Sequence, residues 1–173
     1  NIGAQFIDFS EVGKLKASDP EIDYSLYSLR YDAGWGNGVS IATGASKYTD
    51  GDGQNSTLGA WGGYPYFANG MIFHFFEAGT LRNAASYKAQ AGYDFRRTSP
   101  DKLGLYLRYT YYDLDPDFSF ASNGEPQDRM AMLGLQLKYR AKNGAYFTGT
   151  FEQHDIDEEP QVWALRLIGG ITF

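Results

Sequence analysis

Apolar and polar residues alternate one by one through most of this chain. In its last twelve residues, Trp163, Leu165, Leu167, Gly169, Ile171 and Phe173 share one face of a period-two pattern. Ala164, Arg166, Ile168, Gly170 and Thr172 share the other. A period of two is the mark of a strand whose faces meet different surroundings. Leu103–Asp113 repeats it: Leu103, Leu105, Leu107, Tyr109 and Tyr111 oppose Gly104, Tyr106, Arg108, Thr110 and Tyr112. So do Met130–Arg140 and Ala145–His154, where Leu133, Leu135 and Leu137, and then Phe147 and Phe151, form the apolar rows. Asn83–Phe95 and Ile22–Ala33 follow more weakly, and Ile2–Phe9 and Val39–Tyr48 are the least regular. The pattern predicts about eight strands of roughly ten residues, the length that crosses a bilayer when tilted.

The predicted connections alternate in length. Gly36-Asn37-Gly38, Arg97–Lys102 and Ala141–Gly144 are short, whereas Glu11–Glu21, Thr49–Arg82, Leu114–Gln127 and Asp155–Pro160 are longer and mostly acidic. Short turns at one end and long loops at the other are what an antiparallel transmembrane β-barrel shows. A soluble sandwich or lipocalin-like barrel also alternates, but would turn its apolar face inward. Here the polar face carries Gly, Ser, Thr, Gln, Lys and Arg, suited to a wet lumen. The apolar face carries Tyr27, Tyr31, Trp35, Tyr93, Tyr109, Tyr139, Trp163 and Phe173 as candidate membrane-interface aromatics. The expected fold is therefore all-β: residues 1–173 as one transmembrane barrel domain or the C-terminal portion of one, with 49–82 as a long loop that could fold toward the lumen.

Composition sharpens this. The chain has 14 Tyr, 12 Phe and 21 Gly among 173 residues, a mixture suited to strands and turns. The formal net charge of −6 argues against nucleic acid as partner. There is no cysteine, so disulfides and thiolate metal sites are excluded. Mean hydropathy is −0.43, and no apolar run approaches the ~20 residues of a spanning helix.

Candidate chemistry lies mainly on the polar face. Arg30, Lys88, Arg108, Lys138 and Arg166 all fall there, with Asp32, Asp94 and Glu152. On a barrel wall the cations would form a stripe along a solute path that biases which ions pass; alternatively they pair with those carboxylates and only solvate the wall. Asp113, Asp115, Asp117, Asp155 and Asp157 cluster in the acidic connections, where their oxygens could hold Ca²⁺, bridge to lipopolysaccharide through divalent ions, or simply be solvated. No cofactor is required by this reading. Trp61–Phe76 is apolar enough to narrow a lumen, plug it, or meet a neighbouring subunit. Catalysis has little support. His74 sits in an aromatic run, His154 ends a polar-face row, and no nucleophile elbow, HExxH or phosphate loop occurs.

The terminal LIGGITF, ending on Phe173, resembles the C-terminal signal of bacterial outer-membrane proteins. The stretch NSTLGAWGGYPYFANGMIFHFFEAGTLRNAASYKAQAGYDF, Asn55–Phe95, together with NIGAQFIDF at the start, resembles porins of the OprD type, nearest to the major outer-membrane porins of epsilonproteobacteria. That resemblance implies an outer-membrane location in a Gram-negative cell and a trimeric barrel of about eighteen strands. It also implies an arginine ladder in the lumen and recognition of Phe173 by the barrel assembly machinery. On it, this chain is the C-terminal part of a longer porin, passing small hydrophilic or charged solutes by diffusion. Two other readings stay open: a small filled barrel serving as anchor or adhesin, and a soluble β-barrel binding an apolar ligand.

Overall fold

Two of the chain's reversals use the same device. At Trp35-Gly36-Asn37-Gly38 the Gly38 N–H donates to the Trp35 carbonyl at 3.0 Å, and the Asn37 side chain accepts from the Val39 N–H at 3.2 Å. At Ala141-Lys142-Asn143-Gly144 the Gly144 N–H donates to Ala141 at 3.2 Å, and Asn143 accepts from the Ala145 N–H at 3.1 Å. In both, the closing glycine lies in the left-handed region, with φ of 95° and 85°. Only glycine enters that region without a steric cost, so the Asn-Gly pair fixes where each hairpin reverses.

The computed structural model describes residues 1–9, 24–49, 83–95, 102–117, 123–156 and 161–171. The strands are β1 (Ile2–Phe9), β2 (Tyr24–Gly34), β3 (Val39–Tyr48), β4 (Ala85–Asp94), β5 (Lys102–Asp113), β6 (Arg129–Arg140), β7 (Ala145–Ile156) and β8 (Val162–Ile171). They form one eight-stranded sheet in sequence order, each strand antiparallel to the next. Among the described residues there is no helix, and no pairing between β1 and β8. The expected all-β meander is thus observed, with small shifts at strand ends. One is at β7, which runs through Asp155 and Ile156 because the ladder to β6 continues, Asp155 opposite Ala131. Asp155 is a strand residue, not the loop residue expected.

The register staggers steadily across the sheet. One cross-strand row starts at Tyr31, near the β2–β3 turn, and passes through Thr43, Ala89, Tyr109, Leu133 and Gln153. It ends at Trp163, at the loop end of β8. A row perpendicular to the strands can drift from one end to the other only if the strands are offset in a constant sense. Such offset is the shear of a barrel wall.

Burial is inverted relative to a water-soluble sheet. From β2 to β8 the apolar face is made of odd-numbered residues, and it is open to the surroundings, with Leu107 50% and Leu165 67% exposed. Polar groups on the even-numbered face are covered, among them Ser46, Thr110 and Glu152. A continuous apolar face of this extent is costly in water and stable in lipid. Neighbouring rings stack along it, Phe6 on Tyr27 at 5.0 Å and Phe151 on Trp163 at 5.1 Å between centroids.

Gly38 is held on both sides. Its carbonyl accepts from the Asp94 N–H at 2.9 Å, and a Cβ would strike the Asp94 carbonyl oxygen. Gly38→Ala is therefore expected to lower stability by ~2 kcal/mol, from the left-handed backbone plus the clash. Gly36→Ala, with nothing near its Cβ position, is expected to be nearly neutral. Urea titration of the two variants checks the contrast.

Candidate functional site

The register brings all the predicted polar-face residues to one side of the sheet. One row reads Asp32, Ala42, Gln90, Arg108, Gly134, Glu152 and Ala164. A second reads Gly3, Arg30, Gly44, Lys88, Thr110, Met132 and His154. Small residues alternate with long ones across the strands. Gly44 leaves space between Arg30 and Lys88, and Gly134 leaves it between Arg108 and Glu152.

The cations are engaged in different ways. Arg30 does pair with a carboxylate: its Nε and Nη2 donate to Asp32 Oδ2 and Oδ1 at 2.6 and 2.8 Å. Arg108 instead donates through Nε and Nη2 to the Gln90 amide oxygen, at 3.0 and 2.6 Å, so a neutral acceptor holds it and its charge stays uncancelled there. Glu152, across Gly134, acts on Arg108 as a more distant counter-charge. Lys88 makes neither hydrogen bond nor ion pair among the described residues, yet lies within electrostatic range of Arg108, Arg30 and Asp32. Arg30, Lys88 and Arg108 thus form one basic cluster, and Lys138 is in range of Arg108. Arg166 faces the same side on β8, opposite Thr150. Asp94 lies at the turn end, opposite Gly104.

Toward the loop end, the same face is buried and rich in hydroxyl groups. Ser28 and Ser46 share a hydrogen bond of 2.8 Å, and Ser86 and Thr110 are fully buried. His154 Nε2 lies 3.2 Å from Glu152 Oε2, both side chains within 1% of complete burial. The sequence placed Glu152 and His154 on this face but gave no sign of their contact. Residues two apart on a strand share a face; whether they touch depends on what covers them.

The acidic positions do not converge. Asp113 ends β5 on the apolar side, opposite Arg129, and Asp155 lies on that side of β7. Asp115 is engaged locally, accepting from Asn83 Nδ2 at 2.7 Å and from the Asp117 N–H at 3.0 Å. Among the described residues no group of three acidic or histidine side chains is placed to hold a metal ion. Asp157 lies outside the described residues, as do Phe173, His74, and 50–82 of the long loop.

Among the interface aromatics, Tyr27, Tyr31, Trp35, Tyr93, Tyr139 and Trp163 are exposed on the apolar face or at its turn end. Tyr109 is equally exposed but sits within the apolar belt, between Ala89 and Leu133, not at a strand end.

No protein-family model and no curated protein matches the chain. Its fold is similar to that in the crystal structure of OccAB4 from Acinetobacter baumannii, with a TM-score of 0.66 at 18% sequence identity. The match covers 97% of this chain and 40% of that one. At such identity the likeness concerns the fold alone.

Proposed function

We propose that the chain forms part of the wall of an outer-membrane channel for passive diffusion of small hydrophilic and charged solutes, its polar face lining their path. The observation that carries this is the inverted sheet: an exposed apolar face backed by a face bearing Arg30, Lys88, Arg108, Lys138 and Arg166. The likeness to OccAB4, an OprD-family outer-membrane channel, supports it. Backbone groups on the edges of β1 and β8 cannot stay unpaired in lipid, so this reading requires both edges to be paired in the membrane, with each other or with further strands. Assembly as a homotrimer, contact with lipopolysaccharide, and recognition of Phe173 by the assembly machinery belong to the same proposal.

Conductance of the native full-length protein in a planar bilayer tests it. Stepwise openings are expected. The cluster of Lys88 with Arg30 and Arg108 should favour anions in the path. Lys88→Gln combined with Arg108→Gln is expected to shift the permeability ratio toward cations, on the order of threefold. An unchanged reversal potential in a salt gradient would remove the cluster from the path.

A second reading, a filled barrel serving as anchor, draws on the buried loop-end half of the polar face, where Ser86, Thr110 and His154 have no exposed surface. A well-inserted protein that never opens would favour it.

A further inference from the structure

The buried loop-end half of the polar face carries a chemistry that the cations do not. Met130 and Met132 on β6 and His154 on β7 are all fully buried there. The register sets Met132 directly opposite His154, and Met130 one diagonal step away, opposite Ile156. Opposed Cβ atoms of an antiparallel pair lie about 5 Å apart and diagonal ones about 7–8 Å, within reach of long side chains. Two thioethers and an imidazole therefore rise from the same side of one ladder.

Glu152 orients the imidazole. His154 Nε2 lies 3.2 Å from Glu152 Oε2, and both side chains are buried. A carboxylate only accepts, so the ring donates Nε2–H to it, and the lone pair of the neutral imidazole falls on Nδ1. One ring nitrogen given to a carboxylate while the other serves as ligand is the arrangement that positions histidines at metal centres. Thr110, directly opposite Met132 on β5, is also fully buried, and its hydroxyl makes no hydrogen bond among the described residues. Buried polar groups of this kind collect where an ion or an ordered water completes a site.

We propose that Met130, Met132 and His154 bind a soft monovalent cation, copper(I), with Glu152 as the positioning residue behind the imidazole. Carboxylates and imidazoles alone gather no metal-binding group of three among the described residues, and the thioethers supply the missing donors. A donor set of two thioethers and one imidazole suits copper(I), whereas calcium and magnesium require oxygen. The chain has no cysteine, so no thiolate competes for the ion. The site uses none of Arg30, Lys88, Arg108 or Lys138, and it stands whether or not the wall conducts.

Competition between the full-length protein in detergent and a chromogenic copper(I) chelator, under ascorbate and without oxygen, tests it. Saturable withdrawal of copper(I) from the chelator is expected, and silver(I), which needs no reductant, should compete for the same site. Methionine also serves as pliable packing, so the decisive variants are Met130→Leu and Met132→Leu, which keep the volume and remove the sulfur. Each is expected to weaken binding by about tenfold or more, since a lost ligand costs at least as much as a lost partner behind one. Their urea midpoints should stay near that of the parent. Glu152→Gln should weaken binding on the order of tenfold while leaving both sulfurs in place. Zinc(II), which favours thiolate, imidazole and carboxylate, should not displace copper(I) at equal concentration. Equal withdrawal of copper(I) by the parent and the double leucine variant would overturn the proposal, reducing the two methionines to packing. Absence of saturable binding, or displacement by zinc(II), would overturn it as well.

Discussion

Leu135→Arg is expected to block folding into a bilayer, whereas Gln136→Arg, one residue further along β6, is expected to be tolerated. Leu135 lies midway along an apolar row that runs from Ile41 through Ala91, Leu107, Leu135 and Phe151 to Leu165. Leu107, Leu135 and Leu165 are all exposed to the surroundings of that face. If those surroundings are hydrocarbon, an arginine at mid-depth costs ~2–4 kcal/mol, a large fraction of the stability of a small domain. Gln136 faces the other way and donates to Thr150 Oγ1 at 3.0 Å. Replacing it forfeits one hydrogen bond, about 1 kcal/mol, and adds a cation to a face that already carries several. Heat-modifiable mobility and urea-dependent folding into vesicles compare the pair directly. Equal tolerance of both arginines would mean that the odd-numbered face does not meet lipid.

Glu152→Leu should be nearly as damaging, for a different reason. Glu152 and His154 lie together in a fully buried part of the polar face, and Glu152 also offsets Arg108 across Gly134. Leucine fills much of the volume but leaves the imidazole without that contact and Arg108 without its counter-charge. Removing one partner of a buried hydrogen bond costs about 1–3 kcal/mol. Glu152→Gln retains an acceptor oxygen and should cost less, about 1–2 kcal/mol. Urea midpoints for the two variants separate the effects. A leucine variant as stable as the parent would show that neighbouring groups, not Glu152, satisfy His154 and Arg108.

The face of each strand residue was legible because a period of two leaves little freedom. Once Leu105, Leu107 and Tyr109 share a side, Tyr106, Arg108 and Thr110 must share the other. The contacts between strands were not legible, because register depends on pairings that alternation leaves open. That Arg108 would meet Gln90 follows only from the β4–β5 alignment. The same holds for Tyr106, whose flat position depends on Gly92 from β4 as well as Gly104 from its own strand. Asp155 was misjudged because an acidic run suggests a loop, yet its backbone continues the β6–β7 ladder whatever its side chain. The Asn-Gly turns were legible for the opposite reason, since their chemistry is local.

The strictly sequential order of the sheet also bears on how it assembles. Every strand pairs with its neighbour in the chain, so each ladder can close without waiting for a distant partner. The ladders differ in how much chain must be gathered first. The β2–β3 ladder closes across residues 35–38, but β3–β4 must bring together ends separated by residues 49–84. Loop-closure entropy alone sets these apart by ~2 kcal/mol. The junction between β3 and β4 is therefore the natural seam of the meander. Strands on either side of it can zip into hairpins first, and joining them there is expected to be slower than closing the β2–β3 hairpin.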